Sequence, residues 1–552
     1  MKSINIFSSL LIFFQVILTI SGFSQECLWS SHAGGWSYDG GRQIVSDKYG
    51  NKIVVGITQS SACYFNTDTI TSGWFIVKYD VSGNESWVID LVKSSGPNEG
   101  EWGNIAMKID TINDQLLLTG TFYNFLNLPD TVIHEPKNTI FVIKMDLDGN
   151  IIWCRTAGGT GDDQAFGIAS DPDGNIYISG SNENDATFDQ ITIPRGGFLA
   201  KYDANGNVIW AKHKFRFLML HSSGYPFTEA SPIHLLYSNN SLLVNGVVQN
   251  DTIVIDTVTF INSYSFNASY LSSFSSQGDF QWIKLAGGPG GSCGSSFATD
   301  TLNNIYISGF YQGKGVFGND TLIPPGDGGD CFLAKYNSLG NLIWVTSTQS
   351  SSMAWGQAVA YSSDAGVYLS GYFHGTIHVG DIILVSSPTS NDMFLAKYST
   401  DGNNIGVRQY HSGAIYGVAL DGSKSVCFTG DFNDTLTIGP NTFVSRGQGD
   451  LFVAKCSPIL GGVKSLSAES NQLLIYANPT TGICNITIPE DFKNEKSLSL
   501  TIINSQGKVI QKVPVEITEE RISLNIQAQA AGMYNVILTN GKKSYTGKIV
   551  FK

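Results

Sequence analysis

Short runs of Val, Ile, Leu, Tyr and Phe alternate along most of the chain with turns built from Asp, Asn and Gly. The clearest stretch reads AFGIASD, PDG, NIYISG, a connection of about seventeen residues, FLAKYD, ANG and NVIWA, across residues 165–211. Runs this short, rich in β-branched and aromatic residues, predict strands. The Asp-x-x-Gly-Asn pieces predict tight turns in which Gly and Asn accept positive φ. Apolar residues occupy both faces of these strands, as expected of sheets with a neighbour on either side.

The pattern recurs. WFIVKYDVSGNESW, FVIKMDLDGNIIW, FLAKYDANGNVIW, YLSSFSSQGDFQW, FLAKYNSLGNLIW, FLAKYSTDGNNIGV and FVAKC follow one another, with leading aromatics at Phe75, Phe141, Phe198, Tyr270, Phe332, Phe394 and Phe452. The steps run from 57 to 72 residues. A second phrase precedes each copy, from KIVVGI to SVCFTGDF, with glycines at 56, 120, 180, 246, 309, 371 and 430. Four strands per copy, repeated radially, predict a β-propeller; a linear solenoid would need capping repeats at both ends. The ends favour the ring. The last copy stops at FVAKC without its Trp strand, and an orphan of that strand, CLWSSHAGG, precedes the first copy. The expected fold is therefore all-β: a seven-bladed β-propeller of four-stranded blades over residues 25–462, whose N-terminal strand closes the last blade and removes both sheet edges. In that register Cys27 faces Cys456, either as a disulfide joining distant parts of the chain or as two buried thiols.

Composition narrows the function. Charged residues make up 14% of the chain and the formal net charge is −13. An acidic surface disfavours recognition of nucleic acid through its phosphates. Residues 1–24 place Lys2 before an apolar run, Ile4 to Ile20, and end in Ser21, Gly22 and Ser24. This is the layout of a secretory signal peptide. No later segment is long and apolar enough to predict a transmembrane helix. The eight cysteines show no zinc-site spacing.

The phrases GNIYISG, FLAKYDANGNVIW and GGTGDDQAFGIASD resemble the bacterial seven-bladed β-propeller repeat (SBBP-type) family of exported proteins, over roughly residues 27–460. Copy four departs most, through the long KHKFRFLMLHSSGYPFTEASPIHLLYSNNSLLVNG segment. The resemblance implies the fold but leaves function open, because propellers host binding proteins and enzymes alike.

After Gly461-Gly462 and a polar linker, 463–472, residues 473–552 read as short alternating strands that predict a small immunoglobulin-like β-sandwich. Asn478, Pro479, Thr480, Thr481 and Gly482, then Gly507, Gly532 with Tyr534, and Lys548 near the end resemble the type A sorting domain of the type IX secretion system. Ala477 stands where that family usually has proline. The resemblance implies passage through the periplasm and outer membrane by the type IX machinery, and release or anchoring at the cell surface.

Candidate chemistry is sparse. Asp146-x-Asp148-Gly149-Asn150 and Asp171-x-Asp173-Gly174-Asn175 look like fragments of calcium loops, but equivalent turns such as DVSGN and NSLGN carry one carboxylate or none. His374 and His378 lack a third ligand. No metal or cofactor is expected, and no nucleophile elbow, HExxH or phosphate-binding motif is present. An aromatic before glycine recurs at the start of the innermost strand: Trp102, Phe166, Trp355 and Tyr416. These positions fall near the mouth of the central channel, where they would either stack on a ligand or wedge the blades apart. The leading expectation is a non-enzymatic exported module that binds a glycan or protein. The alternatives are an extracellular polysaccharide hydrolase or lyase, and a structural surface or adhesion component.

Overall fold

A computed structural model describes residues 27–66, 68–93, 105–216, 230–248, 252–262, 267–288, 290–363 and 366–459, together with 473, 475–476, 480–489, 492–493, 495, 498–504, 509–515, 521–530, 532–540 and 544–551. The signal segment, Trp102 and the 463–472 linker lie outside these residues. The chain divides into two compact units, one of Met1–Gly380 with Leu384–Gly462 and the other of Val463–Lys552 with Asp381–Ile383.

In the first unit the described residues form seven antiparallel four-stranded meanders. Blade 1 comprises Asp39–Ser46, Lys52–Thr58, Gly73–Tyr79 and Glu85–Lys93; blade 3 comprises Asp163–Ser170, Ile176–Asn182, Gly196–Tyr202 and Val208–Arg216. The first strand of each blade packs against the first strand of the next, and that of blade 7, Gly413–Leu420, returns to Asp39–Ser46. The ring is closed. Blade 7 takes its second and third strands from Val426–Phe432 and Asp450–Cys456, and its fourth from the other end of the described chain, Cys27–Ala33.

The recurring phrases are explained by what one blade does to the next. Trp153 of blade 2 donates its indole N–H to the carbonyl of Ala204 in the third-to-fourth-strand turn of blade 3, at 3.1 Å. Lys144, on the neighbouring strand, donates to the same carbonyl at 3.0 Å. Trp87 and Lys78 converge likewise on Leu147, and Trp344 and Lys335 on Thr400. The Trp ring then lies flat against the turn glycine: a Cβ at Gly206, which has φ +81°, would sit 2.9 Å from the Trp153 ring. Glycine is required there for its conformation and for its missing side chain. In blades 1, 2 and 3 the Asp that opens the turn accepts from two backbone N–H groups and an Asn amide, as Asp203 does from Asn205 and Asn207; Ser275, Asn337 and Ser399 accept the two backbone bonds in blades 4, 5 and 6. Each indole–carbonyl bond contributes about 1 kcal/mol.

The connection between the second and third strands is a small hairpin rather than an irregular loop. Ala186–Phe188 and Ile191–Ile193 of blade 3 form one, and Thr187 pairs with Gly158 on the outer strand of blade 2. Blades 4 and 5 repeat the device through Thr252–Ile255 and Gly315–Phe317. The hairpins thus cover part of the outer edge that a four-stranded blade would leave unpaired.

At the seam between blades 7 and 1, Trp29 donates to Val81 at 3.0 Å and repeats the latch with a residue from the opposite end of the propeller sequence. Cys27 lies opposite Cys456 and the two form a disulfide spanning 429 residues of sequence. Lys52 of blade 1 and Lys455 of blade 7 both reach the buried Asp421, at 3.3 and 2.8 Å. Burial opposes ionisation of Asp421, but hydrogen bonds from Lys455 and Ser423 and the charge of Lys52 hold it at about 2.

The second unit has two sheets, one of Ile475–Tyr476, Ile483–Thr487 and Arg521–Asn525 and one of Leu498–Asn504, Val509–Val515, Gly532–Thr539 and Ser544–Phe551. Cys484, Ile486, Leu500, Ile502, Val536, Leu538 and Ile549 fill the core between them.

The disulfide gives the first prediction. Removing a bridge typically lowers stability by about 2–4 kcal/mol. Cys27→Ser with Cys456→Ser is expected to lower the melting temperature of the oxidised protein by a few degrees and to abolish its sensitivity to dithiothreitol. Equal melting temperatures for the variant and the oxidised wild type would show that the bridge does not stabilise the seam.

Candidate functional site

Interblade connections and second-to-third-strand hairpins emerge on one face of the ring. That face is held in shape by five wholly buried aspartates: Asp39, Asp163, Asp330, Asp392 and Asp450. Asp39 and Asp163 begin first strands, whereas Asp330, Asp392 and Asp450 begin third strands. Where the first strand supplies the acid, the third begins with Gly73 or Gly196. Each carboxylate ties a connecting loop. Asp39 accepts from the Gly35 N–H at 2.6 Å and the Ser60 hydroxyl at 2.9 Å. Asp163 accepts from Gly159, and Asp330 from Cys331 and the Thr348 hydroxyl. Asp392 binds His411 and Gln409, each at 2.7 Å, and Asp450 accepts from the Ser445 hydroxyl and the Arg446 N–H. Burial pushes Asp163 and Asp450 up to about 6. No phrase-by-phrase comparison reveals these acids as a set, because the role moves between two strands that are not sequence neighbours.

Among the described residues, the innermost strands of six blades are bulged close to this face, blade 4 at Ile233. The extra residue is Arg42 in blade 1, Phe166 in blade 3, Ser295 in blade 5, Gln357 in blade 6 and Tyr416 in blade 7. Phe166 and Tyr416 therefore occupy equivalent positions. Trp355 does not, since the residue after it, Gly356, pairs with Gly371 ahead of the bulge. Its ring stacks on Phe310 at 4.4 Å, and its N–H donates to Ser295 at 2.9 Å, which makes it a contact between blades 5 and 6.

Tyr416 belongs to a cluster that the sequence does not announce. The Arg42 guanidinium lies over the Tyr416 ring at 4.4 Å and over Tyr38 at 5.4 Å. Tyr38 donates its hydroxyl to Asp431 at 2.8 Å. Burial raises the Asp431 carboxyl, while hydrogen bonds from Tyr38 and Tyr416 and the charge of Arg42 oppose the rise. Such a group of aromatic faces around a cation suits a polar ligand with a flat apolar side. Arg42 stands at the bulge position held by Phe166 in blade 3, so aligning the copies on their innermost strands would have found it.

The turns on the opposite face are filled. Asp146 accepts from Asp148 and Asn150 backbone N–H groups and from the Asn150 amide, at 2.8–2.9 Å. Asp171 accepts the same set from Asp173 and Asn175, and the Tyr177 hydroxyl at 2.8 Å. These carboxylates act as turn caps. His378 is exposed on a hairpin strand and His374 lies opposite Met353. Among the described residues, no three His, Cys, Asp or Glu side chains are grouped as metal ligands.

In the tail, Thr480 donates its backbone N–H to Val550 at 2.8 Å, and its hydroxyl bridges to Ile483 and Gly482. Gly482 has φ +147°, and a Cβ there would meet the Gln527 side chain at 2.1 Å. Thr481 lies within the same turn, Gly532 opens a strand, and Tyr534 donates to the Ala530 carbonyl. The Lys548 backbone pairs with Asn535. Asn478, Pro479 and Gly507 lie outside the described residues.

The buried acids generate a pH prediction. A carboxyl raised to about 6 binds its proton more tightly in the folded chain than in the unfolded one. Its contribution to stability is therefore greatest in acid and is lost as pH rises from about 4 to 6. The gap in melting temperature between wild type and Asp450→Asn is expected to be wider at pH 5 than at pH 7.5. A gap independent of pH would contradict the assignment.

Two family models match parts of the chain. Residues 152–181 and 281–309 match the family model described as a beta-propeller repeat, and residues 474–552 match that of the secretion system C-terminal sorting domain. An uncharacterized WD repeat-containing protein, L264 of Acanthamoeba polyphaga mimivirus, is 23% identical over 295 residues. That match covers 44% of this chain and 20% of the relative, so the chain spans about a fifth of the relative's length. Among solved structures, a DUF4221 family member from Bacteroides vulgatus aligns with a TM-score of 0.29 and 13% identity, over 63% of this chain and 92% of that one. The GH43 BlXynB protein from Bacillus licheniformis aligns with a TM-score of 0.26 and 10% identity, over 69% and 87%. Among the described residues, no helix is long and apolar enough to cross a membrane. The chain is a β-propeller with repeats of the SBBP family, exported to the cell surface or beyond by a type IX secretion sorting domain at its C-terminal end.

Proposed function

We propose that the propeller is a binding module that holds a glycan or a protein ligand on its loop-bearing face and catalyses no reaction on it. The observation that carries this reading is the use to which that face puts its acids. Hydrolysis of a glycosidic bond needs two carboxyl groups facing the bond across about 5–9.5 Å of accessible space. Asp39, Asp163, Asp330, Asp392 and Asp450 are instead wholly buried and engaged with loop N–H and side-chain donors. A face of loops fixed in this way is preorganised, and preorganisation favours affinity. The half-buried rings of Phe166 and Tyr416, with Arg42, lie on the innermost strands and offer a contact surface.

One observation favours the second reading, an extracellular hydrolase or lyase. Asp163 and Asp450 are pushed to about 6, a range suited to a general acid.

Two assays separate the readings. Purified mature protein is applied to a glycan array, together with Phe166→Ala and Tyr416→Ala, and is incubated with a panel of polysaccharides while reducing ends are measured. Binding without release of reducing ends, weakened at least tenfold in either variant, is expected. Release that disappears in Asp163→Asn or Asp450→Asn would replace the binding module with an enzyme. Unchanged binding in both aromatic variants would reject the channel mouth as the contact surface.

A further inference from the structure

Trp36 is 81% exposed, the most exposed of the chain's described large apolar side chains. An isolated surface aromatic needs no explanation. This one is unusual because the backbone on both sides of it is fixed. It lies in the connection between the closing strand, Cys27–Ala33, and the first strand of blade 1. On one side the Gly35 N–H donates to the buried Asp39; on the other the Ser37 N–H donates to Ser60 at 2.9 Å, and Ser60 in turn bonds Asp39. Two further segments close around the connection. Tyr64 donates its N–H to Gly34 at 3.1 Å, and Asp39 donates to Gly449 at 2.8 Å. The approach is close enough to require glycine. A Cβ at Gly447 would lie 2.4 Å from the Trp36 backbone, and one at Gly35 would lie 2.2 Å from the Ala62 carbonyl.

The same connection occurs between blades 2 and 3, where AGGTGDD replaces AGGWSYD and Gly159 donates to Asp163 as Gly35 does to Asp39. The position of Trp36 is there the exposed Thr160. The loop geometry therefore does not need an indole. Tyr64, whose backbone is bonded to Gly34, is 44% exposed, and the Arg446 guanidinium lies 5.6 Å from the Tyr64 ring centroid. That guanidinium donates to the Gly34 carbonyl at 3.1 Å and the Tyr64 carbonyl at 3.5 Å. Its side-chain hydrogen bonds thus go to neutral carbonyls, while its charge also acts on the buried carboxyl of Asp450.

We propose that Trp36, Tyr64 and Arg446 form a second ligand site, at the seam of the ring, for an acidic glycan containing uronic acid. A pyranose ring lays its C–H face on the indole and the phenol. The carboxylate of the uronic acid accepts charge-assisted hydrogen bonds from Arg446, whose planar fork matches it. The chain neighbours of the connection include the half-buried Ser37 and, across it, the exposed Gln448, so the surface around Trp36 carries polar residues, which suits a sugar better than an apolar protein surface. This site is separate from the cluster at the channel mouth, and ring closure is what brings Arg446 to the connection that carries Trp36 and to Tyr64.

The test is calorimetric titration of the mature protein with oligogalacturonate and with a neutral galacto-oligosaccharide of equal length. Trp36→Ala is expected to weaken oligogalacturonate binding at least tenfold, and Trp36→Phe to restore part of it. Arg446→Gln is expected to remove the preference for the acidic over the neutral sugar. Melting temperatures of the variants should match wild type, since both side chains lie at the surface. Wild-type protein that fails to bind oligogalacturonate, or Trp36→Ala that binds it as wild type does, overturns the proposal. If Phe166→Ala and Tyr416→Ala abolish binding while Trp36→Ala leaves it intact, the channel mouth is the site and the seam is not. The opposite pattern retains the seam and rejects the mouth. A protein ligand captured through Trp36, with no glycan bound, also overturns the assignment.

Discussion

The pairing of Cys27–Ala33 with Asp450–Cys456 is the constraint on which the rest of the propeller depends. Six blades are continuous in sequence and can assemble from local meanders. The seventh exists only if the two ends of the domain meet. Without that strand, Asp450–Cys456 would present an unpaired edge, and Val81 would lose the indole that binds it. The seam is accordingly reinforced. It carries the disulfide, the Lys52–Asp421–Lys455 group and the Arg42–Tyr416 stack, each of which joins the first and last blades of the propeller.

Elsewhere one device is repeated. A lysine and a tryptophan on adjacent strands of one blade reach the same turn carbonyl of the next, and the turn glycine lets the indole lie against it. This explains why so few charged residues suffice. Lys201 and Lys335 are also paired within their own blades, with Asp171 and Asp300. The scarce charges serve blade-to-blade registration more than the surface. The loop-bearing face adds buried aspartates of its own, so the positions of its loops follow from the strands beneath them.

Much of this was legible in the sequence because architecture repeats. The FLAKY, Gly-Asn and Trp phrases marked the strands, and the orphan Trp29 strand marked the closure. The partners of those residues were not legible, since Lys144 and Ala204 are about sixty residues apart and only the ring brings them together. The hairpins that run onto the preceding blade read as plain loops, because their strands are only three or four residues long. Trp355 resembled Phe166 and Tyr416 in writing but sits ahead of the bulge, a shift that local sequence does not reveal. Arg42 and Trp36 escaped for a different reason. A search for repetition emphasises what the copies share, and a ligand site on a repeat protein lies where one copy differs from the others.

The seam therefore unites architecture and candidate function, for the same closure that completes blade 7 also brings Arg446 to Trp36 and Tyr64. Hydrogen exchange followed by mass spectrometry tests that closure most directly, on peptides covering residues 27–33 and 450–456 of the oxidised protein. The account predicts that amides of both segments exchange as slowly as those of Ile176–Asn182 in the middle of blade 3. Exchange of residues 27–33 within seconds, at the rate of a frayed terminus, while blade 3 stays protected, would contradict it.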